Sequence, residues 1–432
     1  LFEVLAAEEL QEVRSLLKQP HVAARRVAVG IIATWRADLI NQPSAQAILH
    51  AATGRYPCII NDANRPTELL VKLLWPHPHA VSAGAVVEAA LEADLPARWA
   101  LIQLLVLRHD AQGVQAVQFL LSIDGFVDLL SPPAASVFDS LLQHSAGEEH
   151  EQSLQLSSLA SVFAGLLWRP GWTCEIAGFL QQLQQHDRLE GAAEAQVMAA
   201  ASALASQVVG ECNAAVGKPP AANSSDKARG SLRSLRSLAR LLVSCVSADA
   251  HSSLYVMLGS ADPLVSVIGA VALVDCGLVV GSDRIEVLAR DPQTLAALFR
   301  GLDALGAAEL ISAQHRVTER LARAELVEWL SQESELGRAP DEIEFLGTWQ
   351  LLDESDAALL GDEAWRDDQH DEVELFRFRV GAPHWSFRRG WMVGVAGALT
   401  HSCYSAEDEF TAEQHLQNLQ VAFGHWPSAP PR

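Results

Sequence analysis

Few residues in this chain have the types and spacing that carry chemistry. His401-x-Cys403 supplies two donors suited to zinc, and His384, His415 or His425 would complete a tetrahedral set if the fold gathered them. A lone histidine and thiol near a strand end are a common structural pair, so His401 and Cys403 are weak metal candidates and no cofactor is expected. Gly210 and Gly217-Lys218 have the residue types of a phosphate loop. However, six residues separate the two glycines where the loop needs four, and Pro219 stands where a magnesium-binding hydroxyl belongs. Glu148-Glu149-His150-Glu151 lacks the second histidine of a metal helix and reads as a solvated loop. No G-x-S-x-G, G-x-G-x-x-G, H-E-x-x-H or calcium-loop pattern occurs.

Charge is the more informative feature. Arg229, Arg233, Arg236 and Arg240 are spaced by four, three and four residues, which puts all four on one face of a helix. Leu232, Leu235, Leu238 and Leu242 supply the apolar face of the same helix. The plain reading is an amphipathic helix with its charged side in water, and the functional one is a cationic stripe that meets an anionic partner. Opposite in sign, the segment from Asp353 to Glu374 holds ten acidic residues against one arginine. It reads as a hairpin connection kept soluble by charge, or as a segment able to dock on the arginine stripe. From Asp341 onward, 17 acids face 6 basic groups, a net of -11 and half of the total charge. The same region carries Trp349, Trp365, Trp385, Trp391 and Trp426. Tryptophan and arginine dominate the energetics of many interfaces, so Trp385 and Arg388 are the partner-binding candidates there, with Trp349 and Trp391 assigned to a small core.

Across 432 residues the net charge is -22 with a pI near 5.0, which opposes adsorption to nucleic acid or anionic membranes. An acidic surface suits a basic protein partner and also plain solubility. Six cysteines, Cys58, Cys174, Cys212, Cys245, Cys276 and Cys403, are scattered singly, a pattern of reduced thiols that points to the cytoplasm. No signal peptide is legible from Leu1 onward. The apolar stretch Pro263 to Val280 contains Asp275 and opens with Asp262-Pro263, so it reads as a buried soluble helix and not a membrane span.

Apolar residues recur at helical spacing almost everywhere before residue 335. Leu156, Leu159, Ala160, Phe163, Leu166 and Leu167 form one stripe on a helix that stops near Arg169-Pro170, and a second helix follows from about Trp172 to Gln185. Pro96 to Leu107 is apolar nearly all round, as a helix covered on several sides must be. Two units repeat with an offset of 29 residues: Asp262-Pro263 leads into an apolar helix ending at Gly277, and Asp291-Pro292 into one ending at Gly306. Aspartate caps the free helix amides, proline fits the first turn and glycine permits the left-handed stop.

After Pro340 the period changes to two. Ile343, Phe345, Trp349 and Leu351 are expected on one face of a strand, Glu372 to Val380 is expected to carry a bulge because its apolar set shifts phase, and Trp391 to Ala396 is expected to complete a small antiparallel sheet. Thr411 to Gln414 reads as a capping box opening a last helix. The expected organisation is a helical-repeat region over 1-213, a loop or linker over 214-230, a second helical-repeat region over 231-335, and an acidic, Trp-rich α+β module over 336-432.

Asp262-Pro263 with Ala270, Ala272 and Leu273, and Asp291-Pro292 with Ala297 and Leu302, resemble the HEAT/armadillo-like superfamily. The resemblance implies a mainly α fold over residues 1-333, an α-solenoid of stacked antiparallel helix pairs, and it implies no specific activity. Long solenoid surfaces suit a non-enzymatic scaffold that binds another protein, one with a basic face being favoured. Two other classes stay open: an enzyme or metal-binding protein using His384, His401, Cys403 or the acidic loop between helical body and end module, and a self-assembling structural component.

Overall fold

A computed structural model describes residues 7–19, 22–32, 34–36, 40–53, 66–93, 95–108, 110–130, 151–187, 189, 191–217, 224–245, 247–332, 339–351, 371–379, 391–396 and 401–405. The described chain is mainly helical, in packed helix pairs. It divides into two compact units, residues 1–204 with 240–245, and residues 205–239 with 246–432. Among the described residues no helix is long and apolar enough to cross a membrane.

The first unit contains α1 (Ala7–Leu17), α2 (Val22–Ile32), α3 (Gln42–Thr53), α4 (Pro66–Lys72), α5 (Ala83–Glu92), α6 (Leu95–Val106), α7 (Ala111–Leu121), α8 (Asp124–Val127), α9 (Glu151–Leu166), α10 (Thr173–Gln185) and the start of α11 (Gly191–Ala215). The all-round apolar helix α6 lies at its centre, packed by α4, α5 and α7, and every residue from Ala97 to Val106 is buried. On α9, Leu159, Ala160, Phe163 and Leu166 are buried, as is Leu167 just after it, and Phe163 meets Phe179 of α10 edge-on at 5.4 Å between ring centres. Arg108 sits buried between α6 and α7. Its guanidinium donates to the carbonyls of Val81 at 2.6 Å and Pro78 at 3.0 Å and to the Asp110 carboxylate at 2.9 Å. Asp110 in turn caps α7 by accepting the Gly113 amide.

The second unit holds the end of α11, most of α12 (Ser224–Val243), then α13 (Ala248–Leu258), α14 (Pro263–Asp275), α15 (Ser282–Arg290), α16 (Pro292–Ala304), two short 3-10 turns (Ala308–Leu310 and Ala313–His315) and α17 (Thr318–Gln332). The repeated aspartate caps form in both copies. Asp262 accepts from the amides of Leu264 at 2.9 Å and Val265 at 3.3 Å, and Asp291 accepts from Gln293 at 2.8 Å. At the other ends Gly277 and Gly306 have φ of 70° and 67°. The next amide in each reaches back to the Leu273 or Leu302 carbonyl, closing both helices in the same left-handed way. Asp262→Ala and Asp291→Ala should each cost about 1 kcal/mol, while asparagine at either position should cost far less. Urea unfolding midpoints of the four variants test this.

The helices α14, α15 and α16 and Ile311, between the two 3-10 turns, share a core that includes Val267, Ala270, Ile285, Leu288, Leu298 and Leu302. The long apolar stretch from Pro263 is α14, with Val265, Val267, Ile268 and Leu273 all buried.

Strands β1 (Glu342–Leu351), β2 (Asp371–Arg379), β3 (Trp391–Ala396) and β4 (His401–Ser405) pair antiparallel in that order. Phe376 and Phe378 of β2 are fully buried against Ala322, Leu326 and Leu330, which recur every fourth residue along α17. Another side of the same helix, through Ala324, joins the core of α14 to α16.

Three expectations are corrected. The bulge falls in β1, between Phe345 and Gly347, and not in β2. The unbroken register of β2 with β3 leaves no extra residue there. The bulge also moves Trp349 and Leu351 out of phase with Ile343 and Phe345, since Trp349 pairs with Val373 whereas Phe345 pairs with Phe376. Residues 224–230, assigned to a linker, open α12, because Ser224, Ser225 and Asp226 are residue types that satisfy the amides and dipole of a helix start. The sheet shares a core with α17, and the division of the chain into two units falls inside α11 and α12. The expected helix after Thr411 lies outside the described residues.

Candidate functional site

The arginine stripe occupies α12, a helix with no acidic side chain from Lys227 to Val243. With about 100° of turn and 1.5 Å of rise per residue, Arg229, Arg233, Arg236 and Arg240 fall within an arc of roughly 60° over an axial length of about 16 Å. All four side chains are exposed. On the other side of the helix Leu235, Leu238, Leu241 and Leu242 are fully buried, and Leu232 and Ala239 nearly so. Packing the leucines fixes the rotation of α12 about its axis, and this aims the guanidinium groups outward. Arg229 and Arg233 also interact within the chain. Beside the stripe, Lys227 lies 3.6 Å from Glu211 of α11, an exposed pair.

Among the other expected site residues, His401 and Cys403 fall within the described residues. Trp385, Arg388 and His384 lie outside the described residues, as do Glu148 to His150 and most of the acidic segment. Its last residues, Asp371 to Glu374, form the start of β2. His401 and Cys403 stand two apart on β4, opposite Ala396 and Gly394 in the β3 register, so their backbone positions share one face of the sheet. Among the described residues no three His, Cys, Asp or Glu side chains are grouped as a metal site would require.

Three of the thiols, Cys212, Cys245 and Cys276, are held in their unreactive form. Burial pushes Cys212 and Cys245 up to about 11, with Asp262 adding to the effect at Cys212, and burial raises Cys276 as well. At neutral pH these sulfurs stay protonated, whereas a reactive cysteine needs the opposite environment.

Two polar assemblies in the second unit had no signal in the sequence. In the first, Arg284 of α15 donates to the Leu258 carbonyl at 2.8 Å and to the Ser266 hydroxyl at 2.6 Å, while the Asn213 side-chain carbonyl accepts from the Ser260 hydroxyl and the Ala261 amide. Of these, Arg284, Ser260 and Ala261 line a cleft of about 250 Å³ together with Pro263, Asp291 and Thr294. Their hydrogen bonds close the last turn of α13 and the entry to α14, which is a structural use.

The second assembly is a clasp between α15 and the 3-10 turn before α17. His315 is 2% exposed, with Nε2 at 2.9 Å from Glu286 and Nδ1 at 2.8 Å from the Arg320 guanidinium. A guanidinium only donates, so Nδ1 accepts and the ring hydrogen sits on Nε2, directed at the carboxylate. Ser312, Gln314 and Arg290 donate to Glu286 too. The hydrogen bond from His315, aided by those from Ser312 and Arg290 and opposed by partial burial, holds the Glu286 carboxyl down at about 2 against an ordinary 4.5. A carboxyl depressed on folding adds stability that is complete above pH 4.5 and is lost as pH falls toward 2. Glu286→Gln should therefore flatten the acid limb of a stability profile measured between pH 5 and pH 3 at low salt. A Glu286→Gln profile as steep as the parent's would remove this carboxylate as the cause.

Comparison with known proteins finds no family model, no curated protein and no solved structure that matches this chain. What defines it is its own architecture: a mainly α protein of packed helix pairs in which one helix, α12, buries its leucines and exposes a row of arginines.

Proposed function

We propose that this chain is a non-enzymatic protein-binding scaffold, its helix pairs forming a HEAT-like α-solenoid and its acidic, Trp-rich α+β end adding recognition through Trp385 and Arg388. The observation that carries this reading is the exposed arginine helix, clamped by fully buried leucines, in a chain of net charge -22. Long-range attraction from the acidic surface favours a partner with a basic face, and the local reversal of sign on α12 would set its register. Neither effect needs a cofactor or a membrane.

The test uses the full chain as bait in native extract at low salt, read by quantitative mass spectrometry, beside a bait carrying Arg229→Glu, Arg233→Glu and Arg236→Glu. The full chain should retain a protein in stoichiometric amount, released by raising the salt. Failure of both baits to retain any protein at any salt would overturn the scaffold reading. Shortening the chain at residue 340 is a poor control, because it would strip Phe376 and Phe378 from α17.

A further inference from the structure

Resting on the scaffold reading, we infer that the α12 face bearing Arg229, Arg233 and Arg236 receives an acidic helical segment of a protein partner. Its carboxylates are spaced by four and three residues. The geometry of the face states the requirement. Three planar cations lie in a narrow arc over about 10 Å of helix axis, a length that two turns of a second helix match. Each guanidinium can present two parallel N–H groups to one carboxylate, a fit that a lysine face lacks. Because Leu235 and Leu238 are fully buried, the arginine positions are held by the core and the partner need not order them.

Charge selects among anionic occupants. At physiological salt, fields decay over about 8 Å. A ligand no longer than the stripe therefore feels the arginines, beside which Lys227 is already paired with Glu211, while a duplex or a lipid surface extends over the acidic remainder of a chain of net -22. The inference depends on exposure and spacing, and it holds although Arg229 and Arg233 also make contacts within the chain. An acidic partner helix would exchange those contacts for its own carboxylates.

Two labelled peptides on one alanine-glutamine host test it by fluorescence anisotropy against the full chain at about 50 mM salt, where screening is weak. One carries three glutamates spaced by four and three. The other has the same composition with its glutamates divided between opposite helix faces. The in-register peptide should bind roughly 10-fold more tightly, the sum of three modest exposed pairs. Arg229→Glu, Arg233→Glu and Arg236→Glu together should abolish that preference and transfer it to a peptide with lysine at the same spacing. The triple glutamine variant, with an unchanged melting curve, guards against loss through unfolding and should also lose the preference.

Equal binding of the two peptides would overturn the inference, as would tighter binding of a single-stranded oligonucleotide or of phosphatidylserine vesicles. A chain that captures a protein from extract equally well with the reversed arginines would keep the scaffold reading and sink this one. A chain that captures nothing yet discriminates the peptides would do the reverse.

Discussion

Gly269→Ala should destabilise the second unit by about 3 kcal/mol, a large effect for one methyl group. A Cβ at this position would lie 2.3 Å from the Leu258 nitrogen, 2.8 Å from the Met257 carbonyl carbon and 2.9 Å from the Leu254 oxygen. All three atoms are backbone of α13, so no rotamer change relieves the overlap and the two helices must separate. Alanine's better helix propensity returns only about 1 kcal/mol, which does not offset that cost. Gly230→Ala in α12 is the matched control: it is exposed, nothing lies within 4 Å of its Cβ, and the same propensity term should leave it neutral or slightly stabilising. Gly301→Ala should fall between them, because its nearest neighbour, at 2.6 Å, is the Val271 side chain, which has some freedom to turn. Thermal unfolding followed by circular dichroism should rank the three, with Gly269→Ala melting roughly 6–12 °C below the parent. Equal melting of Gly269→Ala and Gly230→Ala would show that α13 and α14 do not approach this closely.

Arg108→Met should cost the first unit about 3 kcal/mol, the range for breaking one side of a buried charge pair. The guanidinium is 7% exposed and serves the Val81 and Pro78 carbonyls and both Asp110 oxygens at once. Methionine fills the stem volume and leaves these acceptors without their donor. Asp110 is buried enough for its carboxyl to be pushed upward, yet the Gly113 amide, Arg108 and His79 together bring it below the usual carboxylate value. Removing Arg108 therefore leaves an anion where burial disfavours one. Adding Asp110→Asn to Arg108→Met should recover part of the loss, because asparagine still caps α7 while the stranded charge is gone. A double variant less stable than Arg108→Met alone would mean that the cap, and not the charge pair, dominates this corner. Urea denaturation of the two single variants and the double variant decides between these.

Both predictions concern features invisible in the sequence, and the contrast with what was legible has one physical basis. Helix starts and stops depend on neighbours within about four residues. Asp262, Asp291, Gly277 and Gly306 therefore announce their caps directly, as the apolar surround of Pro96 to Leu107 announces a covered helix. The face carrying Arg229, Arg233, Arg236 and Arg240 is likewise a matter of helical period alone, and the candidate site was readable to that extent. Its outward orientation is not local, since only the burial of Leu235, Leu238 and Leu242 decides which side of α12 meets water. Strand phase follows the same division. Alternation marks β1 and β2 as strands, but the bulge could be placed only where Phe345 and Gly347 find their partners across the sheet. Glu286 and His315 are 29 residues apart, Arg323 donates to the Ile343 carbonyl across 20, and Gly269 matters only because α13 turns back upon it. Amino-acid order thus determined each helix, its ends and its charged side, through interactions along one turn. Tertiary structure alone decided which faces meet, because that choice balances the burial of all apolar stripes together against the chain entropy lost in joining distant segments.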